Sequence, residues 1–302
     1  MIVYKGLNIK KKYKKSVIAI GNFDGLHKGH KKVLFEAKNK AKKNKSKFGV
    51  VTFEPVPVMF FNKKLINHRI NNLDQKILSL KKFGLDFVII VNFNKKFSNL
   101  SPNNFIKKIL YEKLRCRYIF VSKNFRFGKN RKGNIQTLKI NEKNFFYKTI
   151  ISSPFKKNNI TISSTLIRRY LAKGNLKKVN SFLGRNWCIE GRVILGKKRG
   201  RKIGFPTCNI DIKNYIAPKL GVYSVMVETK KFKRKGIANI GFRPTFNGNK
   251  LLLEVNIFGI KANLYNKLLK VSFLKFIRGE KKFKSIDHLK KQIKKDLKKV
   301  RN

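Results

Sequence analysis

Acidic side chains are scarce in this chain: 14 Asp and Glu stand against 74 Lys and Arg in 302 residues, for a formal net charge of +60. Any position then carries an acid with a chance of about 5%, so an acid in a patterned position is informative; Asp24, Glu54, Glu254 and Glu280 are four such cases. Cysteine is scarce as well. Cys116, Cys188 and Cys208 are odd in number, far apart and without C-x-x-C spacing, which argues against structural zinc and for free thiols in a reducing cytoplasm. No apolar run reaches membrane-spanning length, and the amino terminus, Met1-Ile2-Val3-Tyr4-Lys5-Gly6, reaches lysine with no apolar segment behind it, against a signal peptide. A recognisable nucleic-acid-binding motif is also lacking. The basic residues are mostly lysine, spread among Asn, Ile and Phe rather than gathered in a tail or stripe, as an A/T-rich coding bias would leave them. Neither a dedicated nucleic-acid partner nor a membrane is expected, although the charge repels itself and draws anionic substrates in a salt-dependent way.

What is present is apolar material, 42% of residues, enough for two domains with their own cores. The first part alternates strand and helix. Val17–Ile20 is an unbroken apolar strand, Val33, Leu34, Ala37 and Ala41 mark a helix, Phe48–Phe53 a strand, Leu73–Phe83 a helix stopped by Gly84, and Asp86–Val91 a strand. Ser101-Pro102 caps a helix running through Leu114 with Phe105, Ile106, Ile109 and Leu110 inward, and Tyr118–Val121 is the next strand. Such alternation predicts a Rossmann-like, doubly wound parallel sheet with its ligand crevice at the carboxyl ends of the strands. From Trp187 onward short strands follow one another between glycine-containing turns: Cys188–Leu195, Val222–Glu228, Gly236–Ile240, Leu251–Phe258 and Leu268–Phe276. With no helical pattern between them they predict an antiparallel β-barrel, closed by a terminal helix from Ser285 with Ile286, Leu289, Ile293 and Leu297 on one face. The boundary is placed near Gly184, giving domains of residues 1–184 and 185–302.

Gly21-Asn22-Phe23-Asp24-Gly25-Leu26-His27-Lys28-Gly29-His30 lies between the first apolar strand and its helix. Its glycines let backbone approach a polyphosphate, the helix start favours an anion, and His27 and His30, three apart, project towards it. Seven specified positions in ten residues arise by chance in fewer than about one in a million windows. Downstream, Ile162-Ser163-Ser164-Thr165-Leu166-Ile167-Arg168 opens another helix after an irregular lysine-containing loop, with hydroxyls and an arginine suited to a second phosphate patch.

The pattern G-x-F-D-G-x-H-x-G-H resembles the nucleotidyltransferases related to class I aminoacyl-tRNA synthetases, and its F-D-G-x-H form is similar to the bacterial bifunctional riboflavin kinase and FMN adenylyltransferase (FAD synthetase) family. I-S-S-T-x-I-R resembles that family's second nucleotide-binding element. Thr52-Phe53-Glu54-Pro55-Val56-Pro57 resembles its T-F-x-P-H-P element with Val56 in the histidine slot, and Asn124-Phe125-Arg126-Phe127-Gly128, followed by Arg131-Lys132-Gly133, its N-F-R-F-G loop. In the second domain, Gly191-Arg192-Val193, Gly196 and Gly200-Arg201-Lys202-Ile203-Gly204-Phe205-Pro206-Thr207-Cys208-Asn209 resemble the riboflavin kinase flap and P-T-A-N element, with Cys208 in the alanine slot. Glu254 matches the catalytic glutamate, and Arg278-Gly279-Glu280-Lys281-Lys282-Phe283 the flavin-binding R-x-E-x-x-F turn. Departures fall at Asn256, where histidine is frequent, at Gly259, where aspartate is, and at Asn263-Leu264-Tyr265-Asn266 in place of D-L-Y-G.

The resemblance implies phosphorylation of riboflavin to FMN and adenylylation of FMN to FAD, with MgATP serving both. Gly21, Asn22, Phe23, Asp24, Gly29, Ser164, Thr165, Arg168, Gly200 and Gly204 are implied in nucleotide binding, and His27, His30 and Glu254 in catalysis. Asn124, Phe125, Arg126, Arg278 and Glu280 are implied in flavin binding, and Thr207 and Asn209 as ligands of Mg²⁺. A monomer or weak homo-oligomer is expected. Two other readings are an adenylyltransferase with a decayed kinase domain, raised by Asn256, Gly259 and Asn263, and a basic RNA-associated binding protein, raised by the charge.

Overall fold

The computed structural model describes residues 1–65, 68–196, 199–245, 248–260 and 262–301. It divides into two compact units, Met1–Leu65 with Leu73–Ser163, and Ile66–Asn72 with Ser164–Asn302.

The first unit is built on strands β1 (Ile2–Lys5), β2 (Val17–Ile20), β3 (Phe48–Glu54), β4 (Phe87–Asn92), β5 (Tyr118–Ser122) and β6 (Lys148–Ser152). Their order is β1-β4-β3-β2-β5-β6, and every neighbouring pair is parallel. Buried residues of β2 alternate between faces: Ile18 and Ile20 join one core with Val51, Ile89 and Ile119, while Val17 and Ala19 join another with Val50, Val88 and Phe120. This two-sided burial is why the parallel strands read as continuous apolar runs. The chain proceeds from β2 to β3 and β4 on one side, then returns to β5 on the other side of β2. The topological switch point therefore lies between β2 and β5, where ligands bind in open α/β sheets.

Helix α1 (Lys28–Lys43) follows β2 with Leu34, Ala37 and Ala41 buried. Between β3 and β4 run the short α2 (Pro57–Phe61) and α3 (Leu73–Phe83). After α4 (Lys95–Ser98), the predicted helix begins as α5 (Pro102–Asn104), whose cap Ser101 accepts from Asn104 N at 3.1 Å. It continues over Phe105–Lys113 as a π-helix rather than an α-helix; Leu114 N, for example, donates to the Ile109 carbonyl. The wider turn still places Phe105, Ile106, Ile109 and Leu110 inward. A one-turn helix at Lys129–Arg131 and α6 (Ile135–Ile140) complete the segment before β6. The lysine-containing loop before Ser164 is not irregular. It is a two-residue hairpin of β7 (Lys156–Lys157) and β8 (Ile160–Thr161), turned by Asn158 and Asn159, both at positive φ, the asparagine-tolerant geometry of a type I′ turn.

The second unit opens with α7 (Ser164–Ala172) and α8 (Leu176–Leu183), ended by Gly184 in the left-handed conformation. Six strands then close a barrel: β9 (Cys188–Ile194), β10 (Cys208–Asp211), β11 (Gly221–Glu228), β12 (Lys233–Thr245), β13 (Gly248–Ile257) and β14 (Leu268–Arg278), in the order β10-β13-β12-β11-β14-β9. All neighbours are antiparallel. Interior positions such as Val193, Ile210, Tyr223, Val225, Ala238, Leu253, Val255 and Phe273 are buried, in alternation with polar positions outside. The sequence pattern missed β10, which is short and follows the basic flap, and the single helical turn α9 (Arg199–Lys202). The terminal helix α10 (Ile286–Arg301) lies as predicted with Leu289, Ile293 and Leu297 half-buried, but Ile286 in its first turn is 61% exposed, and Asp296 and Val300 are its buried positions.

Candidate active sites

In the first unit the glycine- and histidine-rich turn occupies the switch point, between the end of β2 and the start of α1. The turn needs three positive φ values, at Phe23 (47°), Gly25 (81°) and Leu26 (38°), which bring the chain back over the sheet with Asp24 and His27 buried. His27 caps α1, its Nδ1 accepting from His30 N at 3.3 Å. An accepting Nδ1 leaves the proton on Nε2 in the neutral ring, so Nε2 is a donor suited to a phosphate oxygen. The two imidazoles stack with centroids 3.7 Å apart and planes at 19°, and Phe23 packs edge-on against His30 at 5.3 Å. Gly29 is required by space. A Cβ there would lie 3.1 Å from the His27 ring and 3.1 Å from the Ile162 carbonyl.

Ile162, after the β7–β8 hairpin, thus lies close against the start of α1. Ser164, Thr165 and Arg168 themselves form the first turn of α7, where Arg168 Nε donates to the His68 carbonyl at 2.9 Å. The short segment 68–72 is held at further points in that unit: Trp187 Nε1 donates to Ile70 O at 2.8 Å, a guanidinium nitrogen of Arg185 to Asn71 Oδ1 at 2.9 Å, and Ile216 N to Arg69 O at 2.7 Å.

The Asn124–Gly128 loop leaves β5 on the other flank of the switch point. Phe127 is its anchor. It exchanges backbone hydrogen bonds with Gly133, stacks on Phe125 at 5.6 Å and packs on Phe105 at 5.1 Å. Asn124 and Arg126 are exposed beside it. Val56, in the histidine slot, is buried and precedes α2.

In the second unit strand register explains the kinase motif. Asn209 of β10 is paired with Glu254 of β13, and Glu254 with Asn239 of β12; Asn239 pairs in turn with Val222 of β11, and Val222 with Arg278 of β14. One row of cross-strand neighbours thus carries Asn209, Glu254, Asn239 and Arg278 on the outer face of the barrel. The flap closes over its end. Gly204 is at φ 88°, Phe205 N donates to Gly200 O at 2.8 Å, and a Cβ on Gly200 would meet Phe205 O at 2.4 Å and Thr207 Oγ1 at 3.3 Å. Asn209 lies over Gly196, where a Cβ would come 2.1 Å from its Nδ2. A cleft of about 300 Å³ opens beside the flap, lined by Arg201, Thr207, Cys208, Ile257, Asn263 and Tyr265 among others. Asn256 braces this segment, its Nδ2 donating to the Pro206 carbonyl at 2.7 Å. Gly259 turns the chain after β13 at φ 71°, and Asn263 Oδ1 accepts from Tyr265 N at 3.1 Å. Burial raises the Cys208 thiol, keeping it neutral in the alanine slot.

Arg278 is held as well as placed. Its Nε donates to Asp296 Oδ2 at 2.8 Å, a second nitrogen to Gly279 O at 2.9 Å, and its guanidinium lies 5.8 Å from the Phe283 ring centroid. Glu280 is exposed in the turn. Asn239 and Asp296 were missed in the sequence, although each left a signal: Asn239 is the polar residue of an apolar strand, and Asp296 is one of only 14 acids.

Two family models match the chain, FAD synthetase over residues 9–166 and riboflavin kinase over residues 183–302. The bifunctional riboflavin kinase/FMN adenylyltransferase of Buchnera aphidicola from Schizaphis graminum is 41% identical over 296 residues, 96% of this chain and 94% of its own. The chain belongs to the bifunctional riboflavin kinase/FMN adenylyltransferase family. The Escherichia coli K12 member of this family is 37% identical over 281 residues, 93% of this chain and 90% of its own, and that of Bacillus subtilis 36% identical over 293. A Streptococcus pneumoniae crystal structure, described as that of a macrolide-efflux protein, matches with a TM-score of 0.86 at 30% identity, covering 100% of this chain and 98% of its own. Among the described residues no helix is long and apolar enough to cross a membrane. As in the rest of the family, a FAD synthetase domain and a riboflavin kinase domain share one chain, an enzyme whose substrates are riboflavin, FMN and ATP.

Proposed function

We propose that residues 185–302 transfer the γ-phosphoryl group of ATP to the 5′-hydroxyl of riboflavin, and that residues 1–184 join the resulting FMN to the AMP moiety of a second ATP. The observation that carries the first step is the cross-strand row of Asn209, Glu254 and Asn239. Glu254 accepts the hydroxyl proton as the oxygen bonds to the γ-phosphorus and ADP departs. Thr207 and Asn209 offer hydroxyl and amide oxygens beside a glycine flap, and no group of three or more His, Cys, Asp or Glu side chains among the described residues offers a rival metal site. This oxygen-only donor set fits Mg²⁺, which keeps much of its shell for water and substrate phosphates. When bound, the ion neutralises charge on the β- and γ-phosphates. Arg278 and Glu280 border the flavin, and Gly200 and Gly204 let the flap backbone cover the phosphates.

In the adenylyl step an FMN phosphate oxygen attacks the α-phosphorus of ATP, the bond to the β-phosphate breaks, and pyrophosphate leaves. No protein nucleophile takes part, so positioning and charge stabilisation supply the rate. Nε2 of His27 donates to a phosphate oxygen, with His30 beside it. Asn22 and Asp24 hold the turn, Gly21 and Gly29 admit the nucleotide closely, and Phe23 orients His30. Ser164, Thr165 and Arg168 receive the pyrophosphate, and Asn124, Phe125 and Arg126 meet the flavin. Its three free cysteines suit a cytoplasmic enzyme, acting as a monomer or weak homo-oligomer. Purified protein given riboflavin and MgATP forms FMN and then FAD, resolved by chromatography; formation of neither contradicts the proposal, and FAD formed only from added FMN favours the decayed-kinase reading.

A further inference from the structure

Pro206 and Thr207 stand just before β10, where the barrel ladder stops. The pairing of β10 with β13 begins at Cys208 opposite Val255, with Asn209 next, opposite Glu254. Two residues before Cys208 stands Pro206, which has no N–H to continue a ladder and whose carbonyl is left for another donor. Asn256 supplies that donor, its Nδ2 lying 2.7 Å from Pro206 O. It can do so because it follows Glu254 by two residues, so both side chains leave β13 on the outer face, half-buried, in alternation with the buried Leu253, Val255 and Ile257. On the flap side, Phe205 N donates to Gly200 O at 2.8 Å, and Thr207 Oγ1 lies 3.3 Å from where a Cβ on Gly200 would stand. Thr207 is therefore spanned between two held neighbours, Pro206 tied to β13 by the Asn256 amide and Cys208 by the strand ladder.

We infer that Asn256 is a positioning residue for phosphoryl transfer, which fixes Pro206 and thereby presents the Thr207 hydroxyl to the magnesium-bound phosphates of ATP. The inference rests on the kinase reading of residues 185–302. Asn256 acts through the chain rather than on substrate. Its removal frees Thr207 on the amino-terminal side alone and leaves in place the ladder that carries Asn209 and Glu254. Asparagine in the slot where histidine is frequent is then a working tether rather than a mark of decay, since both residues carry a side-chain N–H donor.

The test uses the full chain as wild type and as Asn256→Leu, which keeps the bulk and removes the donor. Asn256→Ala takes its place if that variant does not fold, as read from the urea midpoint of the buried Trp187. In the absence of nucleotide, hydrogen exchange followed by mass spectrometry quickens in a peptide spanning residues 205–209 and stays at the wild-type rate in β11 and β14. In steady state the KM for MgATP in FMN formation rises about fivefold, as loss of one net hydrogen bond implies, while the KM for riboflavin and the rate of FAD formation from added FMN stay at wild-type values. A merely structural asparagine would lower the active fraction, and hence kcat, at constant KM. An unaltered KM for MgATP, or unaltered exchange in residues 205–209, overturns the inference. Wild-type protein that forms no FMN from riboflavin and MgATP would instead remove the kinase reading beneath it, whatever the exchange shows.

Discussion

A capping imidazole at His27, a glutamate in register with two asparagines and a lysine, Lys76, bonded to Thr52 each derive their chemistry from immediate neighbours. The same holds for Cys188, whose burial in β9, with Glu190 nearby, pushes its thiol up to about 11 from 9.0. A raised folded-state pKa gives stability that is present in full below pH 9 and lost as pH rises through about 11. Between those values wild type loses on the order of 2–3 kcal/mol more than Cys188→Ala, a difference read from urea unfolding of both proteins at pH 8 and pH 11; parallel losses would contradict it. At this scale the sequence was informative where residues were rare. Histidines in a ten-residue motif and acids in an acid-poor chain stood out. Lys76 did not, since one lysine among so many carries no compositional signal, and only its place on the apolar stripe of α3 marks it.

Elements were legible wherever hydrophobic period and length agreed. The central strands β2 to β5 of the parallel sheet are largely buried on both faces and α3 matches its predicted range, because apolar runs and Gly84 leave little choice. Errors arose where tertiary pairing overrides local pattern. The four-residue β10 is a strand only because β9 and β13 flank it, and α10 buries a carboxylate while Ile286, in its first turn, stays exposed. That carboxylate, Asp296, is 1% exposed and accepts from Arg278 and from Gln292 Nε2, each at 2.8 Å. Removing one partner of a buried pair leaves the other charge stranded, so Asp296→Ala costs about 3–5 kcal/mol. Trp187 is the only tryptophan and lies fully buried in the barrel unit, so its fluorescence follows that unit alone. Its urea midpoint falls in Asp296→Ala; an unchanged midpoint would show that the pair does not anchor α10.

For the molecule as a whole, the sequence supplied two cores, two sets of motifs and a charge of +60. The charge pointed towards nucleic acid, and the motifs towards nucleotides and flavins. The motifs carry more weight because geometry joins their members, as the strand register joins Asn209, Glu254 and Asn239, whereas the lysines share only a sign. Register itself was not legible, since pairing of β10 with β13 spans more than forty residues of sequence and depends on barrel closure. Two chemistries on one chain must fail separately. The most direct measurement gives Glu254→Ala and His30→Ala, each with MgATP, either riboflavin or FMN as flavin substrate and follows the products. The account predicts that Glu254→Ala makes no FMN from riboflavin yet converts added FMN to FAD, while His30→Ala makes FMN and little or no FAD. Loss of both activities in either folded variant, or of neither, would contradict it.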